Sequence, residues 1–308
     1  MTEPALIGID WGTTNRRAAV ISATGELLAE ASDEEGALRC GGRFRESLES
    51  LLAALPAAGP DVPVVMAGMV GSAIGWQVVP YLHGETPLDE LGRHLAPVSD
   101  APAGRRWSIA PGYSLLAAGG EVDVMRGEET QLFGALRLLG PGASDGDYVL
   151  PGTHSKWVRL RAGRIVELRT YLTGELFALL RQHGTLASAM QGASGAVAPG
   201  DAAFAAGLDE ATRRPTLSRA LFGARARVVT GGMAAADAAA YVSGLLIGAE
   251  WADVQEAGDT PVRLIGAPGL ARLYAVAAAR HGRRLETLDA REIQLAAWRA
   301  FAREDAGR

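Results

Sequence analysis

The sequence predicts an α/β fold made of two related half-domains that face one cleft. Three observations carry this. The first is a strand, a Gly-Thr turn and a hairpin written twice. Near the start the chain reads Leu6-Ile7-Gly8-Ile9-Asp10-Trp11-Gly12-Thr13-Thr14-Asn15-Arg16-Arg17, then Ala18-Ala19-Val20-Ile21, a small turn at Ala23-Thr24-Gly25, and Leu27-Leu28-Ala29-Glu30. Midway it reads Tyr148-Val149-Leu150-Pro151-Gly152-Thr153-His154-Ser155-Lys156, then Trp157-Val158-Arg159-Leu160, a turn at Ala162-Gly163, and Ile165-Val166-Glu167-Leu168. Such a repeat points to duplicated structural units. The second observation is a short continuous apolar run, Val62-Pro63-Val64-Val65-Met66-Ala67, of the kind that fills a sheet interior. The third is that segments of helical spacing lie between the strand-like runs.

In chain order, residues 5–10, 17–22 and 26–31 are expected as strands joined by tight turns. Residues 43–55 are expected as a helix, with Phe44, Leu48, Leu51, Leu52 and Leu55 near one face and Pro56 and Pro60 closing it. The apolar run at 62–67 empties into the glycine-rich loop Gly68–Trp76. Residues 79–105 give weak signals. Trp107-Ser108-Ile109-Ala110 is expected as a strand, stopped by Pro111-Gly112. Helices are expected over 127–139, with Leu132, Phe133, Leu136 and Leu139 on one side, and over 175–189. Residues 192–200 read as loop. The remainder is mostly helical in pattern, with strands at 226–230 and 261–265. Gly244 and Gly248 fall on one helical face and predict a close helix crossing. The domains are expected as 1–115 and 116–308, with the final helix packing back on the first.

Bulk properties exclude several functions. The net charge is −5 and the Lys and Arg residues are scattered, so no basic field invites nucleic acid. The apolar run after Met1-Thr2-Glu3-Pro4 is too short for a signal sequence, and no run reaches the roughly 18 residues of a membrane span. The only cysteine, Cys40, rules out an internal disulfide and fits the cytoplasm; beside Gly41-Gly42 it reads as an inert thiol. The five histidines lack metal-ligand spacing, which argues against zinc.

The residues that could do chemistry gather at the turns. A strand ends at Asp10 and the chain reverses through Gly12. Thr13 and Thr14 then offer N–H and hydroxyl donors to phosphate oxygens, and glycine allows the close approach. Asp10 is a hard oxygen ligand suited to hydrated magnesium. Arg16 or Arg17 adds a charge-assisted bond of about 1.5–3 kcal/mol. In the second turn Gly152, Thr153, Ser155 and Lys156 can form an anion site, but Leu150 stands where the first turn has Asp10. His154 suits either a phosphate or a structural hydrogen bond. Gly266-Ala267-Pro268-Gly269 joins a strand to a helix and suits a base or ribose. Glu128 and Glu129 open a helix just before the second turn. Either can take an alcohol proton during phosphoryl transfer, or merely complement the helix dipole. Glu129 is the first choice and Glu128 the second. Ser72 and Trp76 can meet a substrate's hydroxyls and carbon chain, although Trp76 serves equally as a core anchor. The P-loop and Gly-x-Gly-x-x-Gly patterns are absent.

Six blocks stand in order from residue 9 to residue 250: 9–15, 65–72, 124–132, 151–158, 173–176 and 243–250. On them the chain resembles the 2-dehydro-3-deoxygalactonokinase family, within the superfamily of actin, hexokinase and the Hsp70 ATPase. The resemblance implies two ribonuclease-H-like (actin-like ATPase) domains, each with a mixed sheet, and an interdomain cleft. The first domain would be the sugar-acid side and the second the nucleotide side. The implied reaction is ATP-dependent phosphorylation of the C6 hydroxyl of 2-dehydro-3-deoxy-D-galactonate in galactonate catabolism, with magnesium. On this reading Gly12, Thr13, Thr14, Gly152, Thr153, His154, Lys156, Gly266 and Gly269 hold nucleotide. Asp10 organises the metal and takes part in catalysis, and Arg17, Ser72, Trp76 and Arg126 hold the sugar acid, whose carboxylate suits bidentate arginine. The superfamily usually has an acid in the second phosphate turn, and Leu150-Pro151 departs from that. The partner is a small sugar acid, with neither nucleic acid nor membrane, and the sequence leaves the oligomeric state open, a homodimer among the alternatives. Two other readings stand beside this one: a phosphatase of the same fold acting on polyphosphate or guanosine phosphates, and a nucleotide-binding sensor without turnover.

Overall fold

A computed structural model describes residues 3–56, 59–117, 119–192, 195–213, 216–254 and 260–306. The chain begins with β1 (Pro4–Trp11), β2 (Arg16–Ser22), β3 (Leu27–Asp33), α1 (Ala37–Cys40), α2 (Phe44–Ala54) and β4 (Val64–Gly68). The short strands β5 (Leu82–His83), β6 (Ala96–Pro97), β7 (Trp107–Ile109), β8 (Tyr113–Leu116) and β9 (Val122–Met125) lead to α3 (Glu128–Leu139). The second copy supplies β10 (Gly146–Leu150), β11 (Ser155–Arg161) and β12 (Arg164–Tyr171). Then come α4 (Thr173–Gln182), α5 (Gly184–Ala189), α6 (Ala202–Arg213), α7 (Leu217–Val229) and α8 (Ala238–Asp253). The chain closes with β13 (Val262–Ile265), α9 (Pro268–Arg280), β14 (Leu285–Leu288) and α10 (Ala290–Ala306).

The repeated strand–turn–hairpin builds the same five-strand order twice, with β6 added antiparallel to β7 in the first sheet. The first sheet runs β3-β2-β1-β4-β7-β6 and the second β12-β11-β10-β13-β14. In the first, β2 is antiparallel to β1 and β3, while β1, β4 and β7 run parallel. In the second, β10, β13 and β14 run parallel. The shared order, hairpin outermost and parallel strands beyond it, is the mixed sheet of the ribonuclease-H-like fold expected from the sequence. A third sheet joins β5, β8 and β9.

The chain divides into two compact units. One is Met1–Gly146, Val158–Leu168 and Asp289–Arg308; the other is Asp147–Trp157 and Arg169–Leu288. The boundary expected at 115/116 thus falls inside the first unit, which keeps β8, β9, α3 and α10. Packing is the reason. Phe133 of α3 stacks on Phe301 of α10, ring centroids 4.8 Å apart, and Gly8 of β1 leaves the room that the Trp298 ring fills.

The first unit's core is an aromatic row, Trp11–Phe44–Trp76–Trp107, surrounded by Ile7, Ile9, Leu48 and Met66. Cys40 is buried there. In the second unit α8 is apolar on nearly every side and correspondingly buried. The crossing predicted from Gly244 and Gly248 is made with α6. A Cβ on Gly244 would strike the Phe204 carbonyl, one on Gly207 would strike the Tyr241 carbonyl, and one on Gly248 would lie 2.8 Å from the Ala211 Cβ.

Three local expectations need correction. The strand expected at 226–230 is the end of α7, whose buried Ala220 and Ala224 hold it on the helical core of this unit. The helix expected over 175–189 breaks at His183, which is extended, and at Gly184, whose φ is +76°. Leu139 is exposed rather than packed with Leu132 and Phe133. The loop expected over 192–200 includes residues 193–194, which lie outside the described residues, as do the first two of Met1-Thr2-Glu3-Pro4. Among the described residues no helix is long and apolar enough to cross a membrane.

Candidate active site

In the first unit the chemistry gathers where β1 and β4 end and α3 begins. Asp10 pairs in register with Arg17 on β2 and Ala67 on β4. Burial pushes the Asp10 carboxyl above its ordinary range, and the Arg17 charge pulls the other way. Gly68 has φ +92°, and a Cβ there would lie 2.8 Å from the Trp11 carbonyl oxygen and 3.6 Å from Asp10 Oδ1. Gly127 has φ +109°, and its Cβ would lie 3.4 Å from the Gly68 Cα. Two glycines in conformations that other residues avoid therefore let the start of α3 lie against the end of β4. This brings Asp10, Arg126, Glu128 and Glu129 to one end of the sheet.

The two acids meet different surroundings. Glu129 is 0% exposed. Its Oε2 accepts the Gly127 N–H at 2.7 Å and its Oε1 accepts the Thr130 hydroxyl at 3.3 Å. Burial, and then the charge of Glu128, push its pKa up to about 8, against the opposing pull of the Gly127 N–H and Arg126. Glu128 is half-buried, and its Oε2 accepts the Arg126 backbone N–H at 3.1 Å. Enclosure separates the two candidates, because a base must reach the hydroxyl it deprotonates. Glu128 has surface to offer and Glu129 has none.

Arg126 lies with its guanidinium 4.3 Å above the Tyr81 ring, and its Nη2 donates to the Val79 carbonyl at 2.6 Å. Its Nε and Nη1 are buried without a hydrogen-bond partner among the described residues. Of the tandem arginines, Arg16 is structural. It pairs with Asp33 at 2.9 Å, donates to Ser47 and covers the Trp11 ring. Strand alternation sends Arg17 to the other face, where it is exposed.

Thr13 and Thr14 are exposed. The carbonyls of Gly12, Thr13 and Thr14 accept the N–H groups of Ala37, Leu38 and Gly36. Across a trans peptide the following N–H points the opposite way, so the N–H groups of residues 13–15 face away from α1. Ser72 and Trp76 are committed elsewhere. The Ser72 hydroxyl donates to the Met69 carbonyl at 2.7 Å, and Trp76 stacks on Phe44 with its edge to Trp107, the core-anchor alternative.

A magnesium ion fits this donor set. Magnesium takes one or two carboxylates and completes its shell with water and substrate phosphates. Asp10 would supply the carboxylate, and the absence of a Cβ at Gly68 leaves space beside it. Among the described residues no group of three His, Cys, Asp or Glu forms an all-protein cage.

The second unit holds a cavity of about 450 Å³, within the usual range for a small-molecule site. Gly152, Thr153, Thr173, Ser243, Gly269 and Tyr274 line it, with Phe177, Leu246 and Leu273 among its apolar walls. The turn sits against α4: a Cβ on Gly174 would strike the Gly152 carbonyl, and the Glu175 N–H donates to the Thr153 carbonyl at 2.9 Å. Of the residues expected to hold nucleotide here, Gly152, Thr153 and Gly269 line the cavity. Gly266 packs on Pro151 instead. His154 is taken up by Glu175, Nε2 to Oε2 at 2.6 Å. Lys156 is only 6% exposed and donates to Thr170 Oγ1 at 2.8 Å, because alternation along β11 turns it away from Ser155.

Sequence reading gave no site role to Glu250, Thr173 or Tyr274, although Thr173 and Glu250 lie in the blocks 173–176 and 243–250. Glu250 sits in α8 beneath the cavity and accepts hydrogen bonds from Ser155, Trp157, Thr173 and Tyr274. The signal was legible: an acid in an otherwise apolar helix needs buried partners.

Comparison with known proteins identifies the family. The family described as 2-keto-3-deoxy-galactonokinase matches residues 10–301. The chain is 37% identical over 301 residues to a Rhizobium meliloti protein named as the 2-dehydro-3-deoxygalactonokinase DgoK1, covering 96% of this chain and 95% of that one. It is 36% identical over 272 residues to the 2-dehydro-3-deoxygalactonokinase of Escherichia coli, covering 87% of each. A crystal structure of a 2-dehydro-3-deoxygalactonokinase protein from Sinorhizobium meliloti superposes with a TM-score of 0.89 at 35% identity, over 97% of this chain and 99% of that one. With one family matching nearly its whole length, and two named relatives above one-third identity, the chain belongs to the 2-keto-3-deoxy-galactonokinase family.

Proposed function

We propose that this sugar kinase transfers the γ-phosphoryl group of ATP to the C6 hydroxyl of 2-dehydro-3-deoxy-D-galactonate, with magnesium, in the cytoplasm, as a step of galactonate breakdown. The names of its relatives support the substrate. The observation in the chain itself that carries the reading is Arg126. A half-buried cation whose Nε and Nη1 have no partner among the described residues, beside a pair of acids, suits an anionic acceptor.

Each residue then has a task. Arg126 takes the sugar-acid carboxylate, and Arg17 adds positive charge. Glu128 accepts the hydroxyl proton as the oxygen attacks phosphorus. Glu129 stays protonated at neutral pH, so no second full negative charge builds up beside Glu128. Thr13 and Thr14, with the outward N–H groups of their turn, hold phosphate oxygens. The cavity lined by Gly152, Thr153 and Gly269 takes the nucleoside end of ATP. Asp10 would hold magnesium, which when bound neutralises charge on the phosphates. We propose a homodimer as the assembly. Leu116 and Val122, cross-strand neighbours on an edge hairpin and each 69% exposed, support it.

A coupled ADP assay across a panel of 2-keto-3-deoxy acids and plain hexoses tests the reaction. ADP release is expected only with a keto-deoxy acid. Equal turnover with glucose, or release without any acceptor, would overturn the proposal.

A further inference from the structure

Glu250 is 1% exposed in the second unit. Each of its carboxylate oxygens receives two donors. Oε2 accepts from Ser155 Oγ at 2.9 Å and Trp157 Nε1 at 2.8 Å. Oε1 accepts from Tyr274 Oη at 2.7 Å and from Thr173 Oγ1. The hydroxyls of Ser155 and Tyr274 also lie 3.1 Å apart. The donors come from three separate elements: β11, the start of α4, and α9.

The destinations of these bonds give the network a use. Thr173 and Tyr274 line the cavity, and Ser155 and Trp157 directly follow the Gly152–His154 turn. A buried carboxylate is costly, and an apolar side chain of similar volume would serve packing alone as well. What the carboxylate adds is direction, since four donors are aimed at two fixed oxygens.

We propose that Glu250 is a positioning residue for the nucleotide, holding Thr173 and Tyr274 in the cavity wall and the Gly152–Thr153 turn in register. The inference rests on reading this cavity as the nucleotide site. Glu250→Gln is the sharpest probe. Trp157 Nε1 can only donate, so the amide must turn its carbonyl toward Trp157 and its NH₂ toward Thr173 and Tyr274. That reverses the hydrogen bonds on the cavity side and spares those on the other.

The test combines calorimetric titration with a non-hydrolysable ATP analogue, KM for both substrates, and thermal melting. For Glu250→Gln the analogue Kd and the ATP KM are expected to rise ~10-fold, with the sugar-acid KM within about twofold and a cooperative melt retained. Tyr274→Phe should weaken nucleotide binding by about threefold, and should add little when combined with Glu250→Gln, because the Glu250–Tyr274 bond it removes is already altered there. Wild-type nucleotide affinity in Glu250→Gln overturns the proposal. So does an equal rise in both KM values, which would mark a general structural role. Should Glu250→Gln fail to fold, Tyr274→Phe and Thr173→Val carry the test on the same split between KM values. Ser243→Trp, which fills the cavity, separates the two readings. If it leaves nucleotide affinity unchanged, the cavity is not the nucleotide site, whatever Glu250→Gln does.

Discussion

Two neighbouring acids at the start of α3 differ because one side chain is enclosed and the other is not. Glu128→Gln is expected to lower kcat ~10²–10⁴-fold, the usual worth of a general base, with affinity for an ATP analogue little changed. If Glu128→Gln turns over normally while Glu129→Gln is dead, the roles are reversed. The pKa of Glu129 also makes a stability prediction. It rises from 4.5 to about 8 on folding, so the native state binds the extra proton over that window. The contribution is fully present below the lower value, is lost as pH rises toward the upper one, and is flat beyond. The melting temperature of Glu129→Gln relative to the unsubstituted protein should therefore climb between pH 5 and 8 and level off above. A difference that stays constant across that range would show that Glu129 is not held protonated.

Helix α8 is the element on which the second unit is built, and its crossing with α6 leaves no room for side chains at Gly207 and Gly244. The atoms in the way are backbone, which cannot rotate aside. Gly244→Val is expected to cost about 3 kcal/mol, read as a fall in the urea midpoint. Gly223, on α7, has no heavy atom within 4 Å of where its Cβ would stand. There Gly223→Ala should raise stability by about 0.5–1 kcal/mol through helix propensity. Opposite signs at two helical glycines would confirm that close approach, not glycine itself, sets the effect. Equal effects would sink that account of the crossing.

Across the whole molecule, ligand linkage is the test. An ATP analogue at 100 times its Kd should raise the unfolding free energy by about 2.7 kcal/mol. Chelation by EDTA should abolish turnover and added magnesium should restore it. Turnover indifferent to EDTA would remove the role given to Asp10.

Much of this was legible because the signals are local. Apolar runs, Gly-Thr turns and hairpin spacing are read within a dozen residues, and they specified both mixed sheets, the start of α3 and the family. The short strands β5, β6, β8, β9 and β14 left too few residues for a period to show. Tertiary structure alone decided which residues face which neighbours. It sent Arg16 into the core and Arg17 outward, gave Trp76 to an aromatic row, paired Lys156 with Thr170, enclosed Glu129 but not Glu128, and returned α10 to the first unit. It also gathered four donors from residues 155 to 274 around Glu250. Secondary structure follows from short-range periodicity and turn chemistry. Burial and hydrogen-bond partnership depend on segments far apart in the chain meeting in space, and no local pattern encodes that meeting.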